Sequence, residues 1–414
     1  MATIDDISVS PDELRDRIER LGAVGERPAG GLVRFLYDDA WCAAADLVER
    51  WMRQAGLQTR RDAVGNVFGR LPGTTETERT ILTGSHIDTV RGGGKYDGAL
   101  GIVGGIAALA VLKERMGRPR RSLEVVAICE EEGSRIAGNL FGSRGMLGLT
   151  SAAETARLTD PDGVSVVDMM TRIGLDPAAV PDAARRDVDH FVELHIEQGP
   201  VLDGTGTQIG VVTGIAGMRH QLVTVCGQPD HAGATPMDRR RDALQGAARM
   251  AVMIDELARG TGEPTVATVG QMQAWPGSVN TVAERVTFSL DLRHPSDPVR
   301  LELLSEIEGR CRALAEHHGL AVEIVDRWEE QAAQMDAGLQ QVLADTADDS
   351  GFSWSALSSG AAHDSQLWAR HVPTSMIFVP SVGGRSHCAV EYTPLEDCVR
   401  GATLLARVLY RMAY

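Results

Sequence analysis

Aromatic side chains and positive charges are scarce in this 414-residue chain. Phe, Trp and Tyr together make up 4% of the residues, which is too few for a surface that stacks nucleic-acid bases. Lys and Arg number 41 against 57 Asp and Glu, so the formal net charge is −16. Because contacts to phosphates require a surplus of Lys and Arg, we expect no nucleic-acid partner.

Long apolar runs and paired cysteines are also missing. No uninterrupted apolar run reaches the roughly 18 residues that a membrane-spanning helix needs. The acidic beginning MATIDDISVSPDELRDRIERLG is unlike a signal peptide, so we expect no membrane association. The six cysteines form no CxxC pair, and their wide spacing argues against a disulfide or zinc-finger framework. We therefore predict a cytoplasmic protein.

An α/β fold is favoured by the abundant glycine and by alternating strand and helix patterns. Buried strands that alternate with helices are typical of a mostly parallel sheet covered by helices on both faces. The predicted strands are 78–86, 123–128, 191–196 and 374–380, and the predicted helices are 10–22, 40–55 and 98–116.

The segment from 214 to 328 has a different pattern. Its order βαββαβ predicts a ferredoxin-like unit, in which two strands alternate like half-exposed antiparallel ones. We expect this segment to be a second domain inserted into a first one, which consists of residues 1–213 and 329–414. The predicted strands are 220–227, 265–274, 285–293 and 320–326, and the predicted helices are 237–259 and 297–318.

Histidines and acids stand at or near the ends of four strands of the predicted parallel sheet. In open α/β sheets, ligands bind outside the carboxyl ends of the strands. We therefore expect these side chains to face one crevice. They are His86, Asp97, Glu131 or Glu132, His195 and His387.

Three imidazoles and two carboxylates predict a site for zinc or a similar divalent metal. One catalytic ion needs only three protein ligands, whereas five suggest two ions that share a carboxylate, and the residue types leave both open. Asp88 either fixes the tautomer of His86 or is a solvated loop acid. The acids 130–132 follow an apolar strand, where a cation would relieve their repulsion. One of them suits a metal ligand and its neighbour a general base.

Several motifs along nearly the whole chain carry a family resemblance. They are GSHIDTV…GGKYDGALG, EEEGSR, FVELHIEQGPVL, HAGATPM, PGSVN, LDLRH, SGAAHDS and SH…EYT. In this combination the chain resembles the M20-type dinuclear metallohydrolases, in particular their amidase/hydantoinase/carbamoylase branch. Ala389 is a departure, because relatives usually carry a proline there.

The resemblance implies a role for each matching residue. One metal ion would be held by His86, Asp97 and His195. The other would be held by Asp97, Glu132 and His387, with Asp97 bridging. Glu131 would be the general base. The implied cofactors are two divalent ions per subunit, with zinc first and manganese, cobalt or nickel as alternatives.

The resemblance also assigns residues of the predicted inserted domain. His231 would reach the partner subunit's active site in a homodimer and stabilise the oxyanion there. Asn280 and Arg293 would bind the substrate carboxylate. Gln198, from the first domain, would contact the ureido end of a small-molecule substrate.

The activity that the resemblance implies is hydrolysis of a ureido (carbamoyl) C–N bond. The leading interpretation is an N-carbamoyl-L-amino acid hydrolase that releases the amino acid, carbon dioxide and ammonia. Allantoate or ureidoglycolate amidohydrolase is the alternative, and an M20 peptidase is a weaker one. A binding module without catalysis would need a lost ligand or base, and every implied position is filled.

Overall fold

The computed structural model describes residues 3–75, 79–136 and 140–414. It divides the chain into two compact units. The first unit comprises Met1–Thr213, Gln334–Leu357 and Ala362–Tyr414, and the second comprises Gly214–Ala333 and Ser358–Ala361. The second unit thus extends beyond the expected end at residue 328, because its last strand continues to Glu330.

The strands of the described residues, in chain order, are β1 (Gln58–Arg61), β2 (Val67–Leu71), β3 (Thr80–His86), β4 (Leu123–Ile128), β5 (Val188–Ile196), β6 (Ile209–Ile215), β7 (Gly217–Cys226), β8 (Val266–Thr268), β9 (Met272–Trp275), β10 (Arg285–His294), β11 (Ala321–Glu330), β12 (Ala333–Gln334), β13 (Trp354–Ser359) and β14 (Thr374–Val379). Residue 78, with which the predicted strand 78–86 begins, lies outside the described residues.

The α-helices of the same ranges are α1 (Pro11–Gly22), α2 (Asp39–Gln54), α3 (Ala99–Met116), α4 (Phe141–Met146), α5 (Ala152–Thr155), α6 (Val166–Arg172), α7 (Val201–Thr205), α8 (Ala243–Thr261), α9 (Asp297–His317), α10 (Ala337–Asp349), α11 (Asp364–Trp368) and α12 (Leu395–Ala413). Short 3₁₀ helices cover Ile4–Asp6, Pro177–Ala183, Met237–Arg239 and Val382–Gly384.

The larger sheet has the order β1-β2-β4-β3-β5-β14-β6-β12, with β13 paired to β6. Its four central strands, β4, β3, β5 and β14, run parallel. Their ends are level. His86 pairs with Ile128, His195 pairs with Phe378, and Thr83 pairs with Val192, each three residues before the histidine of its strand. The predicted α/β class with a mostly parallel sheet is confirmed, and the carboxyl ends of these strands share one edge.

Both faces of this sheet are buried, as the continuous apolar strands predict. Ile81 and Val192 belong to the core on one face, whereas their neighbours Leu82 and Phe191 belong to the core on the other. The apolar helix α3 packs on β3, β4 and β5, and it also contacts α1 and α12. An apolar surface all round suits a helix enclosed in this way.

The smaller sheet has the order β11-β7-β10-β8, with β9 also paired to β10. Helices α8 and α9 pack against it through a core that includes Val223, Phe288 and Leu290. With β8 and β9 counted as one interrupted strand, the order along the chain is the predicted βαββαβ.

Two predicted elements of this unit need correction. The strand predicted at 265–274 is split into β8 and β9, because residues 269–271 oppose only two residues of β10 and form a bulge. The helix predicted at 237–259 begins only at Ala243, where the Asp242 carboxylate accepts hydrogen bonds from the N–H groups of Leu244 and Gln245.

All six cysteines are free in the structure. Among the described residues, every helix is too short or too polar to cross a membrane. The cytoplasmic location stays a prediction.

Candidate metal centre

Side chains of the predicted metal site meet at the carboxyl edge of the parallel strands. His86 ends β3, His195 stands near the end of β5, and both are buried. Asp97 lies in the loop before α3. Its Oδ1 atom is 3.4 Å from Nε2 of His86 and 3.2 Å from Nε2 of His195. The structure therefore brings the first predicted ligand set together.

The second predicted set meets at the other oxygen of the same carboxylate. Nε2 of His387 lies 3.3 Å from Asp97 Oδ2 and 3.6 Å from Glu132 Oε2. His387 belongs to the loop after β14, is half-exposed, and has a positive φ of 56°. Asp97 is thus common to two sets of three possible ligands.

The donor atoms fit a divalent cation in spacing and in kind. Ligand atoms about 2.0–2.1 Å from a tetrahedral zinc ion are about 3.3 Å from one another. The separations around Asp97 are 3.2, 3.3 and 3.4 Å. Asp97 Oδ1 is buried and accepts no hydrogen bond from the residues that the structure describes. A buried carboxylate oxygen without a donor is a natural ligand for a cation.

The two buried imidazoles expose the correct nitrogen. Nδ1 of His86 lies 3.1 Å from the carbonyl oxygen of Asp88, and Nδ1 of His195 lies 2.9 Å from that of Ile196. A carbonyl can only accept, so Nδ1 carries the proton and Nε2 keeps its lone pair. The Gly98 N–H donates to Nε2 of His195 at 3.2 Å, which agrees with that tautomer.

The electrostatics of the centre favour a positive charge. Burial alone would raise the pKa of Asp97, but the three imidazoles around it, when protonated, lower that pKa well below its ordinary value. Burial raises the pKa of Glu131 well above its usual range, and burial together with Asp97 raises that of Glu132 to about 7. A bound cation would favour the ionised form of these carboxyls.

The three consecutive acids after β4 have separate environments. Glu130 Oε2 accepts the Phe141 N–H at 3.1 Å and so holds the start of α4. Glu132 Oε1 accepts the Val90 N–H at 3.2 Å, while its other oxygen faces His387. Glu131 is buried beside the same cluster. Glu130 therefore has a structural role, whereas Glu131 and Glu132 are the two acids to which the resemblance assigns a chemical role.

Asp88 is buried, which excludes the solvated loop acid. Its Oδ1 and Oδ2 atoms accept the backbone N–H groups of Glu131 and Glu132 at 3.0 and 3.2 Å. Its Oδ1 lies 3.5 Å from Nδ1 of His86, whereas the backbone carbonyl oxygen of Asp88 lies only 3.1 Å from that nitrogen. The carboxylate mainly fixes the acidic loop, whereas the carbonyl orients the imidazole.

Gln198 reaches the centre from the loop after β5. Its Nε2 donates to Asp97 Oδ2 at 2.9 Å and lies 3.4 Å from Nε2 of His387. The residue has a positive φ of 59°, a strained backbone conformation that a non-glycine residue rarely adopts without a functional reason. The predicted contact to substrate would have to form beside this bond.

His231 and Asn280 lie together in the second unit. A β-bridge pairs His231 with Thr281, and the Ala232 N–H donates to the Asn280 carbonyl at 3.0 Å. Nδ1 of His231 accepts the N–H groups of Gly233 and Ala234, each at 3.1 Å. The proton therefore stands on Nε2 of this exposed imidazole, as a hydrogen-bond donor to an oxyanion requires.

Arg293 stands on β10, and its guanidinium is fixed from two sides. Nε and Nη2 donate to Asp291 at 3.0 and 2.9 Å, and Nη1 donates to the Gly360 carbonyl at 2.8 Å. Within the described ranges, these bonds leave one N–H on each terminal nitrogen. These two N–H groups remain available to donate to a carboxylate.

Comparison of the sequence with known protein families gives a match that includes the residues of this site. The sequence profile of peptidase family M20/M25/M40 matches residues 82–411. The chain belongs to this family. The resemblance predicted from the motifs is thereby confirmed at the level of the family.

Individual M20 relatives match over nearly the whole chain. Allantoate amidohydrolase of Escherichia coli is 38% identical, over 97% of this chain and 98% of its own length. N-carbamoyl-L-amino acid amidohydrolase of Geobacillus stearothermophilus is 39% identical, over 98% and 99%. Among solved structures, an amidase of the hydantoinase/carbamoylase family from Burkholderia multivorans has a TM-score of 0.93, at 34% identity and 98% coverage of each chain.

The motifs of this M20 chain also contain buried residues to which the sequence assigned no role. Glu193 accepts hydrogen bonds from the hydroxyls of Ser85 and Ser365, both at 2.7 Å, and so ties β3, β5 and α11 together. The ring of His363 packs against that of His195, with centroids 4.6 Å apart. Their position inside FVELHI and SGAAHDS was the only signal in the sequence.

We predict that Gly98→Ala weakens metal binding. Gly98 has a φ of 63°, and a Cβ there would lie 2.5 Å from Nδ1 and Cε1 of His86. The added methyl group would displace the imidazole, so metal affinity measured by titration calorimetry should fall.

Gly117→Ala is the matched control at the other end of α3. Gly117 also has a positive φ, of 77°, but a Cβ there would meet no heavy atom within 4 Å. Both variants should lose about 1–3 kcal/mol of unfolding free energy, because an alanine is strained at the positive φ of either position. Equal metal affinity in the two variants would contradict the prediction.

Proposed function

We propose that the chain is a metal-dependent amidohydrolase that cleaves the ureido C–N bond of an N-carbamoyl-L-amino acid. The products are the amino acid, carbon dioxide and ammonia. The observation that carries this proposal is the pair of three-residue ligand sets that share Asp97. Glu131, the proposed general base, is buried in the loop that carries Glu132. The names of the M20 relatives, which are amidohydrolases of ureido compounds, support it.

Allantoate is the second candidate substrate. Relatives named allantoate amidohydrolase are 38% and 40% identical to this chain, and one named N-carbamoyl-L-amino acid amidohydrolase is 39% identical. The contexts SGAAHDS, HAGATPM and PGSVN…ERV resemble those of N-carbamoyl-L-amino acid hydrolases, whereas GSHIDTV and CEEEGSR resemble those of allantoate amidohydrolases. Ureidoglycolate belongs to the same alternative as allantoate, and dipeptides are weaker candidates.

The reaction requires a nucleophile, a proton carrier and a group that binds the developing negative charge. Two bound divalent ions, for which zinc is the leading candidate, would polarise the ureido carbonyl and lower the pKa of a water molecule. Glu131 would take a proton from that water and deliver it to the leaving nitrogen. One water molecule per substrate balances the free amine, carbon dioxide and ammonia.

The second unit would supply the remaining contacts. Nε2–H of His231 would donate to the oxyanion across the interface of a homodimer. Arg293 and Asn280 would hold the substrate carboxylate, and Gln198 would contact the ureido group. Apolar side chains exposed on β8 and β9, among them Val266 and Trp275, support an interface between two copies.

A substrate panel tests the proposal directly. The enzyme, freed of metal and then loaded with zinc, manganese, cobalt or nickel, is offered N-carbamoyl-L-amino acids, allantoate, ureidoglycolate and dipeptides. Ammonia release that is fastest with N-carbamoyl-L-amino acids supports the leading assignment, and fastest release from allantoate supports the second. Turnover of dipeptides alone would contradict ureido specificity.

We predict that Glu131→Gln lowers kcat by about 10²–10⁴-fold, the usual contribution of general acid–base catalysis. Metal content should stay near that of the wild type, because the two proposed ligand sets do not include Glu131. The measurements are turnover and metal analysis. Glu130→Gln is the matched control, since a Gln keeps an acceptor for the Phe141 N–H and should retain activity. Near-full kcat in Glu131→Gln would show that another group is the base.

We predict that Arg293→Lys raises KM steeply for substrates with a carboxylate. Lysine keeps the charge but loses the planar fork, and the loss should be about 1.5–3 kcal/mol. The measurement is KM and kcat of the wild type and the variant, each with the normal substrate and with one whose carboxylate is replaced by an amide. The mutation should add little for the amide, because the shared interaction is already gone. Additive losses would show that Arg293 does not bind that group.

The action of His231 across a dimer is tested by mixing two inactive variants. In a heterodimer of His231→Ala and Glu131→Gln, one active site has both changes and the other has neither. Random mixing should therefore restore about a quarter of wild-type activity. Without recovery in dimers shown to have exchanged subunits, His231 would act within its own chain or not at all.

A further inference from the structure

Glu391 is a buried acid close to both ligand sets and outside either of them. It follows the loop of His387 and is 5% exposed. Its Oε1 accepts the backbone N–H groups of Tyr96 and Asp97 at 3.0 and 3.1 Å. One side chain near the end of the sequence thus binds the backbone of the loop that carries the shared carboxylate.

The other oxygen of Glu391 is bonded to the loop of the last proposed ligand. The hydroxyl of Ser386, the residue before His387, lies 2.7 Å from Glu391 Oε2. The same hydroxyl lies 3.0 Å from Asp97 Oδ2. Glu391 therefore connects the backbone of Asp97 with the neighbour of His387, two residues that are far apart in sequence.

The surroundings leave this carboxylate little freedom. A Cβ at Gly94 would lie 2.1 Å from Glu391 Oε1 and 2.5 Å from Glu391 Cβ, so only glycine allows the approach. The Glu391 N–H donates to the Cys388 carbonyl at 3.1 Å and closes the turn 388–391, which directly follows His387. Burial of a carboxylate is costly unless hydrogen bonds compensate for it, and all of these bonds join ligand-bearing loops.

We propose that Glu391 is a positioning residue that sets the distance between Asp97 and His387 and thereby the affinity for the second metal ion. This inference rests on the proposed function. It adds a residue that binds no metal and touches no substrate, and that acts by holding two proposed ligands in register.

The effect should be larger for the ion between Asp97, Glu132 and His387 than for the other ion, which shares only Asp97 with it. The imidazoles of the first set, His86 and His195, are held by the register of β3 and β5 in the sheet. His387 stands instead on a half-exposed loop with a positive φ, which no sheet hydrogen bond fixes among the described pairings. Its position relative to Asp97 depends on the bridge through Ser386 and Glu391.

The test is a metal titration of the whole apoprotein with zinc in competition with a chromophoric chelator. In the wild type two binding steps are expected, and the step that disappears in His387→Ala identifies the second ion. Glu391→Ala should weaken that step by about 10–100-fold, the usual effect of a residue that orients a ligand. The other step should weaken less, because its two imidazoles are held by the sheet although it shares Asp97.

Two further variants separate positioning from charge. Glu391→Gln keeps an oxygen for the N–H groups of Tyr96 and Asp97, so it should recover most of the affinity that Glu391→Ala loses. A charge effect would make Gln and Ala alike and would contradict the inference. Ser386→Ala removes the hydroxyl that bonds the other oxygen of Glu391, so it should weaken the same binding step. This variant also tests the inference if Glu391→Ala does not fold.

Asp62→Ala is the structural control. Asp62 likewise binds two backbone N–H groups, of Val64 and Asn66, in the turn between β1 and β2. Its loss should lower the melting temperature and leave both metal steps unchanged. If Glu391→Ala leaves both steps unchanged, or weakens both equally, the inference is wrong while the proposed function stands. A wild type that binds no ion contradicts both.

Discussion

Asp97 directs one carboxylate oxygen toward His86 and His195 and the other toward His387. Sharing of this kind tolerates little movement, because a shift that favours one set of donors separates the other. The parallel strands meet the requirement for the first set, since their register brings the two histidines to one edge at the same level. The second set comes from loops, so its geometry depends on hydrogen bonds between loops rather than on the sheet.

This arrangement places several carboxyl groups close together in the protein interior, which is energetically unfavourable. Asp88, Glu130, Glu131 and Glu132 are all close together beneath the surface, where unpaired carboxylates are strongly unfavourable. Asp88 and Glu130 are compensated by backbone N–H groups of the same region. Burial and Asp88 nevertheless raise the pKa of Glu130 well above its ordinary value. Burial raises the pKa of Glu131 in the same way, and burial together with Asp97 raises that of Glu132. A cation between them and Asp97 is the natural counter-charge, which connects the stability of the site with its proposed chemistry.

Much of this could be predicted from the sequence, because strong local patterns carried it. Apolar strands alternating with helices predicted the parallel sheet, and the strand ends predicted the convergence of His86, Asp97, His195 and His387. The division of labour among the three glutamates could not be predicted from residue types, since it depends on which backbone groups each carboxylate meets. The bulge between β8 and β9 was missed for a similar reason: it is set by pairing with β10, and the alternating pattern continues through it.

The choice between the two candidate substrates has to be made away from the metals. An N-carbamoyl amino acid and allantoate both carry a carboxylate beside a carbon that bears a ureido group. A metal pair with Glu131, and a fork such as that of Arg293, would therefore accept either molecule. The two differ in the third substituent of that carbon, which is a side chain in one and a second ureido group in the other. Because a pocket that hydrogen-bonds a polar group rejects an apolar one strongly, residues that face this substituent should determine the substrate.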